Sequence, residues 1–181
     1  MRSIAVGKKI PDFTLPATGG KPVKLSSLKG RSVVLYFYPK DDTPGCTLEG
    51  RDFAALHGRF VRKHAVILGI SRDSLRSHEK FCDKFGFPFA LLSDEDEKVC
   101  GLFGVVKEKN MYGRKVWGIE RSTFLIDPKG VLLREWRKVQ VKGHAAEVLE
   151  ALPGAGEQAP AAKKQPAKNK KKRAAVRSKK R

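Results

Sequence analysis

The chain is predicted to fold as an α/β sandwich around a mixed central sheet, and three observations carry that expectation. Two unbroken apolar runs, Ser32–Tyr38 and Ala65–Ile70, have the length and continuity of strands buried on both faces of a parallel sheet. A stretch with helical apolar spacing follows each run. Beyond residue 112 the alternation gives way to hairpin patterning, with Val116–Ile119, Ser122–Ile126 and Val131–Val139 set around the turn Asp127-Pro128-Lys129-Gly130.

Taken in order, residues 11–25 read as a short hairpin. Phe13 and Leu15 lie on one side, Gly19-Gly20 forms the turn, and Val23 and Leu25 alternate with charge. The strand 32–38 leads through a turn into a helix over 44–63, with Phe53, Leu56, Phe60 and Val61 on its apolar face. After the strand 65–70, Ser74 offers an N-cap for a helix whose face carries Leu75, His78, Phe81, Cys82 and Phe85 and which Gly86 ends. Phe89–Leu92 is a short strand. Ser93-Asp94-Glu95-Asp96 opens a helix with acids at its positive end and with Val99 and Phe103 as its apolar face. Gly143-His144 precedes a last helix bearing Val148, Leu149 and Leu152, and Pro153-Gly154 ends the domain. No internal repeat is present. The organisation is one domain over 1–152 and a tail over 153–181.

Charge separates these two parts. The net charge of the 181 residues is +19, and the tail holds eleven Lys/Arg against the single acid Glu157, a net of +10 that leaves +9 on residues 1–152. The tail is Ala, Pro, Lys, Arg, Gln and Gly with almost no apolar bulk. It cannot bury enough surface to offset the chain entropy of ordering, so disorder is expected. Its charge density suits phosphate binding by counterion release, to DNA or RNA over residues 154–181, or simple solubilisation. It has no aromatic residue to stack on bases.

Three widely spaced cysteines make no disulfide framework and suit thiol chemistry in a reducing compartment. Residues 1–9 lack the apolar segment of a secretory leader, and no apolar run approaches the roughly 20 residues that a membrane helix needs. The expected setting is the cytoplasm with no membrane association, and the expected assembly is a monomer.

The candidate site is the turn Pro39-Lys40-Asp41-Asp42-Thr43-Pro44-Gly45-Cys46. Pro39 ends the strand and offers its ring as a shield against water. Thr43 takes the N-cap position and Pro44 the first helical one, which puts Cys46 in the first turn. Unsatisfied N–H groups and the helix dipole there favour a thiolate over a thiol. In that register the Thr43 hydroxyl meets the Cys46 N–H, or turns to the sulfur or to a bound oxygen. Gly45 leaves room for a small substrate. Asp41 and Asp42 oppose the thiolate, so a cation from elsewhere in the chain is required.

Pro39-x-x-x-Thr43-x-x-Cys46 resembles the active-site motif of the peroxiredoxins. The longer string Tyr36 to Thr47, together with Gly113-Arg114-Lys115, Gly118 to Asp127 and Val141-Lys142-Gly143-His144, is similar to the bacterioferritin comigratory protein or peroxiredoxin Q subfamily over roughly residues 3–152. The resemblance implies a thioredoxin-like fold and thiol-dependent reduction of hydrogen peroxide and organic hydroperoxides. It implies Cys46 as the peroxidatic thiol, Pro39 and Thr43 as the residues that shape the pocket, and Arg121 as the missing cation. Glu49 falls at the acidic position that follows. It further implies no metal or organic cofactor, and recycling by thioredoxin or a similar dithiol.

One departure bears on the cycle. Many members place a resolving cysteine five positions after the first, where this chain has Arg51. Cys82 resembles the resolving cysteine of the other branch, in the next helix. It also shares a face with Leu75 and Phe85, as a core residue would. Cys100 is expected to be structural, and a cycle that uses an outside thiol stays open. Cys46-Thr47-Leu48-Glu49 denies a Cys-x-x-Cys oxidoreductase. A nucleic-acid-binding protein with an inert Cys46 is the remaining alternative.

Overall fold

Apolar continuity and turn chemistry set the elements. The computed structural model describes residues 4–153. β1 (Thr14–Leu15) and β2 (Val23–Lys24) form the short antiparallel hairpin. Then follow β3 (Ser32–Phe37), α1 (Pro44–Arg62), β4 (Ala65–Ser71), α2 (Leu75–Phe85), β5 (Ala90–Ser93) and α3 (Lys98–Leu102). The chain continues through β6 (Val106–Met111), β7 (Arg114–Ile119), β8 (Ser122–Ile126), β9 (Leu132–Trp136) and α4 (His144–Ala151). The tail expected over 153–181 lies outside the described residues beyond Pro153.

The central sheet has the order β5-β4-β3-β8-β9. β3 pairs parallel with β4, and β4 with β5, while β8 runs antiparallel to both β3 and β9, so the sheet is mixed as expected. Side chains of β3 alternate between two apolar layers. Val33, Leu35 and Phe37 meet Leu68, Ile70, Phe103 and Phe124 in one layer. Val34, Tyr36 and Tyr38 meet Phe53 and Phe60 of α1, Phe81 of α2 and Val148 of α4 in the other. Burial on both faces is why this strand has no polar alternation in its sequence.

Four features differ from expectation. β6 carries no apolar signal because it pairs only with β7, in a ribbon outside the central sheet. α3 begins at Lys98 rather than in the acidic run, yet the Asp94 carboxylate still caps it by accepting from the Val99 and Cys100 N–H groups at 3.3 and 2.6 Å. β9 ends at Trp136 instead of reaching Val139. Val61 is 53% exposed, because one step past the buried Phe60 rotates it about 100° away from the core face. α2 is bounded as read: Ser74 Oγ accepts from the Ser77 N–H, and Gly86 at φ 65° donates its N–H to the Cys82 carbonyl.

Gly69 shows how tightly the second layer is filled. A Cβ there would lie 2.6 Å from Leu91 and 2.7 Å from the Tyr36 ring. Tyr36 is fixed in turn by stacking on Phe53, with ring centroids 4.9 Å apart. Gly69→Ala is therefore expected to destabilise the protein by about 1–3 kcal/mol, measured by urea unfolding. An unchanged midpoint would show that Tyr36 can give way.

Candidate active site

Register brings the site together. Phe37 pairs with Ser122, so the C-terminal end of β3 and the N-terminal end of β8 meet at one edge of the sheet. β3 leaves that edge into the loop 39–43, and Arg121 enters β8 from it. Cys46 is the third residue of α1 and only 2% exposed. Arg121 donates from Nη2 to the Cys46 sulfur at 3.3 Å. The cation that the turn required is thus supplied from 75 residues along the chain.

Glu49 aims this guanidinium. It stands three residues after Cys46, on the same side of the helix, and is 1% exposed. Arg121 donates from Nη1 to Glu49 Oε2. Burial pushes the Glu49 carboxyl up to about 7, helped by the charge of Asp52, although the Arg121 charge and hydrogen bond act against it. Its Oε1 has no hydrogen-bond partner among the described residues. For Arg121, burial opposes the charge but Glu49 and Cys46 outweigh it. A Cβ on Gly45 would come within 3.2 Å of Arg121 Nη2. The absent side chain therefore makes room for the guanidinium, where the sequence reading gave that room to substrate.

The two acids of the turn do not face the sulfur unopposed. Asp42, at φ 53°, reaches Lys84 at 2.6 Å on the surface. Asp41 is buried against His78, with Oδ2 2.8 Å from Nδ1. Burial raises its carboxyl, but hydrogen bonds from His78, Ser77 and Tyr38 prevail and hold it below the usual range. Sequence reasoning missed this pairing. Its only trace was a histidine on the apolar face of α2.

Thr43 takes the N-cap position with extended backbone (φ −96°, ψ 153°), but its side chain makes no cap hydrogen bond. The tight turn at Asp42 brings the Lys40 carbonyl within reach, and the Thr43 hydroxyl donates to it at 3.0 Å. The expected bond to the Cys46 N–H is thus replaced. Pro39 is half-buried at the end of β3. Beside the helix start, Asp42, Pro44, Thr47, Leu48 and Arg51 line an open depression of about 390 Å³.

All three cysteines are free thiols. Cys82 packs in the same apolar layer as Cys46, half-buried, with its thiol 3.8 Å from Thr18 Oγ1. Burial pushes this thiol up. Gly50 lets α1 pack closely against the segment that follows α2, where a Cβ would lie 2.6 Å from the Phe87 ring. Cys100 is fully buried in the opposite layer, across the sheet, and burial together with Asp94 raises its thiol strongly. Among the described residues no group of three His, Cys, Asp or Glu is placed to hold a metal, and no helix is long and apolar enough to cross a membrane.

The likeness to known proteins covers this whole arrangement. Residues 6–134 match the AhpC/TSA family. Peroxiredoxin Bcp of Xanthomonas campestris is 56% identical over 141 residues, 78% of this chain and 88% of the relative. Peroxiredoxin Bcp of Bacillus subtilis is 51% identical over 150 residues, 83% of this chain and 96% of the relative. The solved structure of Xanthomonas campestris peroxiredoxin Q superposes with a TM-score of 0.75 at 56% identity, over 77% of this chain and 89% of that one. Other structures of that protein have one or the other of two cysteines replaced by serine, spaced as Cys46 and Cys82 are. Trapped intermediate and ligand complexes of Xanthomonas campestris bacterioferritin comigratory protein concern its alkyl peroxide reduction activity. The chain belongs to the AhpC/TSA family, among the peroxiredoxins of the Bcp and Q type.

Proposed function

We propose that the chain reduces hydrogen peroxide and organic hydroperoxides with the Cys46 sulfur as nucleophile. The observation that carries this reading is the Arg121 guanidinium 3.3 Å from that sulfur, in the first turn of α1. The chain is a thiol-dependent peroxidase, and its own residues account for each step. The Cys46 thiolate attacks one peroxide oxygen. A sulfur–oxygen bond forms, the oxygen–oxygen bond breaks, and the departing hydroxide or alkoxide takes a proton to leave as water or alcohol. Fixed donors meet the developing charge: the Arg121 guanidinium, the helix N-terminus and the Thr43 hydroxyl once it turns from Lys40. Glu49 keeps Arg121 on line, and Pro39 screens the sulfur from water.

Cys46 is left as a sulfenic acid. The Cys82 thiol condenses with it, forming a disulfide and releasing water. Thioredoxin or a similar dithiol then returns both thiols. The shared apolar layer of Cys46 and Cys82 supports this pairing, as does the matching spacing of the two cysteines replaced in the Xanthomonas campestris protein. Cys100, across the sheet, plays no part. One equivalent of peroxide added to the reduced protein is expected to give a Cys46–Cys82 link in peptide mapping by mass spectrometry. A persistent Cys46 sulfenic acid without that link would sink the two-cysteine cycle.

We further propose that the enzyme works in the cytoplasm as a monomer and that its basic tail engages nucleic acid. A tail carrying eleven Lys/Arg against one acid binds phosphate without sequence preference and lets go as salt rises. Removal of 154–181 is expected to abolish low-salt retention on DNA and to leave peroxidase activity intact. Loss of activity instead would put part of the catalytic domain beyond residue 153.

A further inference from the structure

The loop before Cys46 and the helix that carries Cys82 are joined by buried polar side chains that the peroxidase chemistry does not use. His78, in the first turn of α2, is 0% exposed. Its Nδ1 lies 3.0 and 2.8 Å from the two Asp41 carboxylate oxygens, and its Nε2 lies 3.1 Å from the Leu92 carbonyl oxygen. A carbonyl oxygen only accepts, and so does an ionised carboxylate. The Tyr38 hydroxyl is 3.3 Å from Nδ1 but 2.7 Å from Asp41 Oδ1, and its one proton goes to the carboxylate. Ser77 Oγ donates to Oδ2 at 2.7 Å. Both imidazole nitrogens therefore face acceptors and both must donate, which makes His78 an imidazolium paired with the Asp41 carboxylate.

The pair reaches four elements. Asp41 belongs to the loop 39–43, and its N–H donates to Asp73, which also receives Ser71 Oγ at the end of β4. His78 belongs to α2 and bonds β5 through Leu92. Cys82 stands four residues after His78, one turn along the same helix face. Joining Cys46 to Cys82 requires Cα atoms within about 7 Å, and the two sulfurs start on separate helices. On that reading the Cys82 segment of α2 shifts or unwinds to meet Cys46, and the buried pair fastens the first turn of the same helix to the 39–43 loop.

We infer that the Asp41–His78 ion pair is a positioning lock that holds α2 against the 39–43 loop while Cys46 reacts with peroxide, and that releasing it limits the delivery of Cys82 to the Cys46 sulfenic acid. The inference rests on the reading of Cys82 as the resolving thiol. Neither residue touches the reacting atoms. Both act through the helix they restrain. Breaking a buried ion pair is costly enough to govern a rate.

The test uses the full chain with Asp41→Asn, which keeps the shape while removing the charge and turning one acceptor oxygen into a donor, and with His78→Asn as a second variant. Rapid quenching with a thiol-alkylating agent and mass spectrometry follows the sulfenic acid and the disulfide separately. Each variant is expected to pass from sulfenic acid to disulfide about tenfold faster or more, and to show faster hydrogen exchange over Leu75–Phe85. An unchanged or slower passage in both variants overturns the lock. In the wild type, ring nitrogen resonances of His78 are expected to report two protonated nitrogens, and a singly protonated ring overturns the ion pair. Cys82→Ser separates this inference from the reading beneath it. If that variant still forms a disulfide at wild-type speed, the Cys82 assignment falls. The lock then stands on faster α2 exchange in Asp41→Asn and is overturned by unchanged exchange.

Discussion

Cys46→Ser is expected to bring hydroperoxide turnover down to the uncatalysed background while the protein still folds. A serine fits where the cysteine sits, 2% exposed in the first turn of α1 beneath Arg121. Its hydroxyl stays protonated near neutral pH, where a cysteine supplies a nucleophilic thiolate. The guanidinium and the helix N-terminus remain in place with nothing to activate. Stopped-flow peroxide consumption and urea unfolding check the two halves of the expectation. Turnover retained within about tenfold of the wild type would move the nucleophile elsewhere.

Arg121→Gln carries the second-largest effect, on two separate readouts. Loss of a fixed donor at the developing oxyanion is expected to lower kcat/KM for hydroperoxide by about two to three orders of magnitude. The substitution also strips Glu49 of its cation while leaving it 1% exposed. Burial already raises that carboxyl to about 7 against the pull of Arg121, so removing the pull raises it further. An acid raised in the folded state above its unfolded value of 4.5 favours folding when protonated. Its contribution is therefore full below pH 4.5 and is lost as pH rises through the folded value. The deficit of Arg121→Gln relative to the wild type should widen from pH 5 to pH 8 in urea unfolding, and adding Glu49→Gln should flatten that dependence. A deficit independent of pH would show that Glu49 is not the group left unpaired.

What the sequence discloses depends on where each signal lies. β3 and β4 were legible because strands covered on both faces must be apolar throughout, and Ser74 and Gly86 marked α2 through local hydrogen-bonding and left-handed geometry. Cys46 was legible from its place in the first turn of a helix, whereas Glu49 was marked only by the family resemblance, and helical spacing explains why it lies one turn from Cys46. Arg121 is different. Only the pairing of Phe37 with Ser122 puts it over the sulfur, and no local pattern encodes that register. Family resemblance pointed to it where periodicity could not.

The misses have physical causes as well. β6 hides because a strand paired only with β7, outside the central sheet, needs no apolar alternation. The Thr43 hydroxyl follows the tight turn at Asp42 to the Lys40 carbonyl, a local competition that the N-cap preference alone does not resolve. Asp41 looked like a charge opposing the thiolate, and became half of a buried pair only when α2 packed beside the loop.

The central claim is that a peroxide oxygen is transferred to the sulfur of Cys46, and intact-mass spectrometry of the Cys82→Ser protein tests it most directly. With Cys82 removed, one equivalent of hydrogen peroxide is expected to add a single oxygen atom per chain. Trapping with a sulfenic-acid reagent should place that oxygen on Cys46. An unmodified chain after peroxide has been consumed, or an oxygen found on Cys100, would contradict the account.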